Sequence, residues 1–266
     1  MSKRWALITG ASSGIGHELA LQLANKGYSL ILTARRLSLL EQLSTSITKS
    51  SHVDVKIIAV DLLDHKSMEA LVQTIKDEDI RLDLLLNNAG FGDYGAFQDA
   101  DIEKTTDMII LNVLRLTQLT HALLPYMNQK SQICNVGSLA SFVPGPYMSV
   151  YYATKNYVLA FSQALQEELK SSKIEVSTFC PGPIATEFNQ VANAQKGKKH
   201  KTTMKMLGAQ SVNEAVKALV RGLEKRKTII YSRSMHAILV FLVRLVPHRH
   251  IGRIIAYIQK KRFSKE

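Results

Sequence analysis

Seven short apolar runs, at 5–9, 28–33, 55–60, 82–87, 133–136, 175–180 and 228–231, punctuate a chain of 266 residues. Most are nearly continuous in Val, Ile and Leu rather than alternating, as strands covered on both faces should be. Segments of helical period lie between them. Ile15, Leu19 and Leu23 recur at four-residue steps, and 38–49, 67–78, 105–127, 152–171 and 211–225 behave alike. Strand-helix alternation with right-handed crossovers predicts a doubly wound, seven-stranded parallel sheet with helices on both faces. No internal repeat or Pro/Gly-rich linker divides it, so residues 1–231 are expected to form one domain. Within that domain, 187–210 lack a period, carry Lys196, Lys198, Lys199, Lys201 and Lys205, and read as a long, mobile loop. Residues 232–266 continue as two apolar stretches separated by Pro247, a basic helical C-terminal extension.

With 46% hydrophobic and 21% charged residues, the composition excludes a disordered, collagen-like or disulfide-stapled chain. The two cysteines, Cys134 and Cys180, lie in apolar runs and read as buried thiols in a reducing compartment. The apolar start at 5–8 is too short for a signal peptide, and no uninterrupted apolar stretch approaches the roughly 20 residues of a spanning helix. A cytoplasmic protein is expected, attached at most to a membrane surface.

The net charge of +12 is unevenly spread: residues 189–266 hold 18 Lys and Arg against three acids, whereas residues 1–188 are faintly acidic. Nucleic acid is not the expected partner, because no familiar motif is present and aromatics are not interleaved with the bases. Residues 235–246 are almost wholly apolar. Ile251, Ile254, Ile255 and Ile258 form an i, i+3, i+4, i+7 stripe among Arg249, Arg253, Lys260, Lys261 and Arg262. Such a pair of helices suits an anionic membrane surface; it equally describes a tail docked on the body or on a second subunit. The eight histidines show no carboxylate-supported ligand spacing, so no metal is expected.

The first strand runs into Thr9-Gly10-Ala11-Ser12-Ser13-Gly14-Ile15-Gly16, with a helix following. Small residues there let the backbone turn tightly and present helix N-terminal N–H groups to a pyrophosphate. After the second strand the chain reads Ala34-Arg35-Arg36, where NAD-binding folds place an acid for the ribose hydroxyls. A planar guanidinium suits a 2′-phosphate instead, so NADP(H) is favoured over NAD(H); the plain alternative is a solvated loop pair.

Tyr151 and Lys155 stand four apart at the start of a helix and so share a face. A free phenol, with a pKa of about 10, is a poor acid-base catalyst near neutrality, and a nearby ammonium is expected to lower it. Asn112 is a polar residue inside an otherwise apolar helix; an unpaired buried amide is costly, so it needs partners.

The G-x-x-x-G-x-G turn, Asn87-Asn88-Ala89-Gly90 and Tyr151-x-x-x-Lys155 together resemble the classical short-chain dehydrogenase/reductase family over about residues 3–231. The resemblance implies a Rossmann-type fold in which Gly10, Ser12, Ser13, Gly14, Ile15 and Gly16 hold the cofactor phosphates. Asp61 and Leu62 would face the adenine, and Asn88, Ala89 and Gly90 the adenosine half. Pro181, Gly182, Ile184 and Thr186 would lie along the nicotinamide. Taken alone, Asp61 could be a helix cap and Pro181 a strand terminator. Ser138, thirteen residues before Tyr151, resembles the family's catalytic serine, with Ser141 the competing turn or cap residue. Asn112 would anchor a water linking Lys155 to solvent, or else bond a neighbouring strand.

The implied reaction is reversible hydride transfer between a nicotinamide and a carbonyl or a secondary or primary alcohol, on an apolar or lipid-like substrate. A homo-oligomer is expected. The rival reading is a dinucleotide-binding regulator without turnover, against which the intact Ser138, Tyr151 and Lys155 set argues.

Overall fold

The computed structural model describes residues 3–184, 194–195, 198–199 and 210–263. Seven parallel strands form the sheet: β1 Arg4–Thr9, β2 Tyr28–Ala34, β3 Val55–Ala59, β4 Leu82–Asn87, β5 Met127–Val136, β6 Glu175–Cys180 and β7 Ile229–Tyr231, in spatial order β3-β2-β1-β4-β5-β6-β7. The order reverses between β1 and β4, and ligands of doubly wound sheets bind outside the carboxyl ends of strands at such a switch point.

One face is covered by α1 (Gly14–Ala24), α2 (Leu37–Ser50) and α7 (Val212–Glu224), where Leu19, Leu43, Ile47 and Leu219 pack on Ile8, Leu32 and Phe179. The other is covered by α3 (His65–Asp77), α5 (Leu116–Leu123) and α6 (Ser149–Glu168), with Leu71, Leu119 and Leu165 against Leu7, Leu85 and Ile133. The near-continuous aliphatic strands are thus sandwiched, as their sequence predicts.

The stretch expected as one helix over 105–127 is segmented. Helix α4 (Ile102–Ile109) passes through a π-helical turn (Ile110–Arg115) into α5, and a 3₁₀ turn containing Pro125 ends it. Strand β5 then begins at Met127 rather than 133, because proline cannot extend the helical ladder. Within Ile102–Tyr126 an 18-residue window reaches a mean hydropathy of 1.2, enough by length and composition to cross a membrane. Its Leu119 and Leu123, however, lie in the core beside the sheet.

Beyond β7 come α8 (Ser234–Arg244) and α9 (His248–Phe263), parted at Pro247 as expected. The extension is docked: α8 buries His236 and Val240, and α9 buries Ile251 and Gln259. Ile251 therefore does not share an exposed stripe with Ile254 and Ile258.

Candidate active site

The glycine turn is fixed from the β4 side. Asn88 Nδ2 donates to the carbonyls of Thr9 and Gly10 at 2.9 and 3.2 Å, while the Asn88 and Ala89 N–H groups donate to Thr9 Oγ1. Space is tight enough to require glycine. A Cβ on Gly16 would stand 2.5 Å from the Gly10 carbonyl oxygen, and Gly10 itself has φ +66°. Gly14 also lies at positive φ, +57°, a conformation only glycine adopts freely.

Helix α1 starts just beyond, with Ser13 at its N-cap in extended conformation, no side-chain cap bond and no acid in its first turn. Those leading N–H groups and the positive end of the helix fit a phosphate. The exposed Arg36 guanidinium reaches over the turn to Ser12 Oγ at 3.2 Å, and Arg35 is exposed beside it. The donor set fits a phosphorylated dinucleotide.

Asp61 does not cap α3. Asp64 does, accepting from Lys66 and Ser67 N–H, while Asp61 closes a turn onto Leu63 N–H at 3.0 Å. That loop is held by Arg115, a buried base on the π turn whose Nε donates to the Leu62 carbonyl and Nη2 to the Leu63 carbonyl, each at 2.9 Å. Sequence reading passed over Arg115; its signal was a lone base in an otherwise apolar helical stretch.

Ser138 follows β5 and caps the short 3₁₀ turn Leu139–Phe142, its Oγ accepting from Ala140 N–H at 3.1 Å. Ser141 completes the box as the expected cap residue, accepting from Ser138 N–H. The Leu139 N–H donates to the Pro181 carbonyl, binding this turn to the end of β6. Gly182 N–H donates to Ser232 Oγ at 3.3 Å, which meets His236 Nδ1 at 3.2 Å. Ile184 pairs with Gln210. Thr186 lies outside the described residues, and of the expected loop at 187–210 only Gln210 and a short antiparallel pair, Ala194–Gln195 with Lys198–Lys199, are described.

Tyr151 and Lys155 enter from the first turns of α6, both buried. Lys155 Nζ donates to the Val136 carbonyl at 2.7 Å and lies 5.9 Å from the Tyr151 ring centroid. A Cβ on Gly90 would stand 2.7 Å from Asn112 Oδ1 and 3.7 Å from Lys155 Nζ, so the three residues converge. Asn112 does not bond a neighbouring strand; its partners are the Phe91 main chain and Thr154 Oγ1.

The expectation that the ammonium lowers the Tyr151 pKa is not met. Burial drives it well above the ordinary phenol value, outweighing a hydrogen bond from Ser138. Burial likewise depresses Lys155 to about 8. Desolvation disfavours both charged forms, and the lysine is turned to the Val136 carbonyl rather than to the phenolic oxygen. Around Tyr151 stand Phe91, Tyr94, Met108, Ala140 and Met148. Among the described residues no cluster of three metal-ligating side chains occurs.

A model of the short chain dehydrogenase family matches residues 4–197. The chain belongs to this short-chain dehydrogenase/reductase family and is an NAD(P)-dependent oxidoreductase of carbonyl and alcohol groups. It is 35% identical over 201 residues to the human dehydrogenase/reductase SDR family member 7, covering 73% of this chain but spanning only 59% of that relative. It is 31% identical over 252 residues to the very-long-chain 3-oxoacyl-CoA reductase of Rattus norvegicus, with 91% of this chain and 75% of that protein covered. A short-chain dehydrogenase from Sphingobium yanoikuyae, solved with NADPH, superposes with a TM-score of 0.78 at 32% identity, over 87% of this chain and 88% of the other.

Proposed function

We propose that the chain is an NADP(H)-dependent carbonyl reductase or alcohol dehydrogenase acting on apolar substrates, with residues 1–231 as its cofactor-binding and catalytic domain. When bound, the nicotinamide supplies the hydride in reduction and accepts it in oxidation. Tyr151 gives its phenolic proton to the carbonyl oxygen as the carbon is reduced, and takes it back in the reverse direction. Burial keeps the phenol protonated near neutrality in the cofactor-free chain, the form a proton donor needs, but a pKa raised this far also weakens it as an acid. Ser138, hydrogen-bonded to Tyr151, orients the same oxygen. Lys155 holds the ribose hydroxyls of the nicotinamide half, and Asn112 positions the segments around it. Gly10 to Gly16 carry the phosphates, Arg35 and Arg36 the 2′-phosphate, and Asp61, Leu62, Asn88, Ala89 and Gly90 the adenosine half. Pro181, Gly182, Ile184 and Thr186 line the nicotinamide.

The apolar surround of Tyr151 carries the substrate reading. A charged substrate beside Phe91, Met108, Ala140 and Met148 would lose hydration without a partner, whereas an aliphatic or aromatic ketone gains by burial. The rat relative's name, a very-long-chain 3-oxoacyl-CoA reductase, and the NADPH complex of the Sphingobium enzyme support the same direction. Exposed Ile109, Leu114 and Tyr157, on α4, the π turn and α6, support self-association through that flank.

The test is oxidation of NADPH and of NADH with carbonyls of graded apolarity, scored by kcat/KM. Preference for NADPH and a rise in kcat/KM with chain length are expected. Preference for NADH, or for small charged carbonyls, overturns the reading.

A further inference from the structure

Helix α8 divides sharply into two faces. His236 and Val240, one turn apart, are buried against the body, with Val240 among Phe142, Leu159 and Cys180. On the other side Ile238, Phe241, Leu242 and Leu245 are 62, 64, 53 and 68% exposed. Their spacing is i, i+3, i+4, i+7, so they form one stripe. The membrane-type stripe read from sequence in α9 thus belongs to α8. Helix α9 adds exposed Ile254, Tyr257 and Ile258 beside exposed Arg249 and Arg253.

Charge decides what such a face can meet. Between Glu224 and Glu266 the chain carries no acid and eleven Lys and Arg. A two-fold contact with a second copy would set this basic region against itself, an arrangement that electrostatics disfavours. The body cannot cover the stripe, because α8 already docks on it through the opposite side. A bilayer with anionic head groups offers both terms at once: acyl chains for the stripe and phosphates for the flanking bases.

We propose that Ile238, Phe241, Leu242 and Leu245, with the bases of α9, form a docking surface for an anionic lipid bilayer. The surface is seated on the catalytic half of the domain. Arg244 lies over the Phe142 ring at 5.6 Å, Gly252 backs onto Pro144, and Gln259 Nε2 meets Met148 Sδ at 3.9 Å. Segment 142–148 joins Ser138 to Tyr151, so docking brings the lipid surface close to the reacting groups.

Cosedimentation of the full chain with phosphatidylcholine vesicles, and with vesicles of equal parts phosphatidylcholine and phosphatidylglycerol, tests this without turnover. Binding to the anionic vesicles is expected to exceed binding to neutral ones at least tenfold and to fall as salt rises. Phe241→Asp with Leu245→Asp, and separately Arg249→Glu with Arg253→Glu, should each reduce it tenfold or more while melting unchanged. The charge-reversal pair keeps the test sound if the apolar pair disturbs folding. No adsorption at low salt, or adsorption indifferent to lipid charge and to both variants, overturns the proposal. So does a Phe241→Asp variant that loses an oligomeric state while the parent ignores vesicles, since that gives the face to a second copy.

Discussion

Asn112 and Phe91 exchange a reciprocal pair of hydrogen bonds: the Phe91 N–H donates to Asn112 Oδ1 at 3.1 Å, and Asn112 Nδ2 donates to the Phe91 carbonyl at 2.9 Å. The amide thereby serves as a strand partner for one residue of loop, and its second proton goes to Thr154 Oγ1 at 3.1 Å. Thr154 in turn donates to the Tyr151 carbonyl at 2.7 Å. A π-helical turn carries Asn112; such turns re-aim a side chain within a helix and recur at functional sites.

Asn112→Ala should therefore leave the Phe91 N–H and carbonyl unpaired in a half-buried setting. A loss of about 1–3 kcal/mol is expected, read from urea unfolding, together with reduced kcat. A variant as stable as the parent would show that water replaces the amide without cost.

Tyr151→Phe should lower kcat about 10²–10⁴-fold, the usual contribution of a positioned acid-base group. NADPH affinity should hardly change, because the phenol acts on the substrate oxygen. A loss below tenfold would remove Tyr151 from the proposed role.

Lys155 gives a pH signature. Its pKa falls from an ordinary 10.5 to about 8 in the fold, so between those values the unfolded chain binds the extra proton. Stability of the cofactor-free protein should accordingly rise with pH across that window. Relative to Lys155→Met, the parent should gain roughly 3 kcal/mol between neutrality and pH 10.5, the free-energy equivalent of the depression. Urea midpoints for both proteins at the two ends check the sign; a constant difference would mean the buried amine keeps its ordinary pKa.

Arg36→Ala with Arg35→Ala should weaken NADPH about tenfold or more, as expected for losing charge-assisted hydrogen bonds to phosphate, and leave NADH nearly untouched. Fluorescence titration of both cofactors is the measurement. Equal weakening would indicate that the guanidinium over Ser12 reads something other than the 2′-phosphate.

Gly182→Ala places a methyl 2.6 Å from the His236 ring. The two cannot keep their places, so either the imidazole swings away from Ser232 or the Pro181-Gly182 segment shifts, with loss of activity. His236→Ala in the same chain should restore part of what Gly182→Ala removes, and the double-mutant cycle measures that coupling.

The strands were legible because sandwiched β-structure writes itself as unbroken aliphatic runs, and the glycine turn because steric crowding at Gly10 and Gly16 leaves no other residue. What escaped was decided by contacts distant in sequence. Nothing near Arg115 announces that it grips the Leu62 and Leu63 carbonyls. Tyr151 and Lys155 looked like an activated pair by spacing, but spacing carries no information about burial, which set both pKa values. The α9 isoleucines showed the right period, yet only the packing of Ile251 against the body shows which side faces out.

The seating of α8 and α9 on segment 142–148 also fixes an order of events in the making of the enzyme. The glycine turn at residues 10–16 leaves the ribosome well before Tyr151. The helices that brace the stretch between Ser138 and Tyr151 are translated later than both. A nascent chain can thus assemble its dinucleotide cradle well before its catalytic wall is braced. A product cut short by a late stop codon or by C-terminal proteolysis would retain a ligand-holding sheet with an unbraced reaction centre.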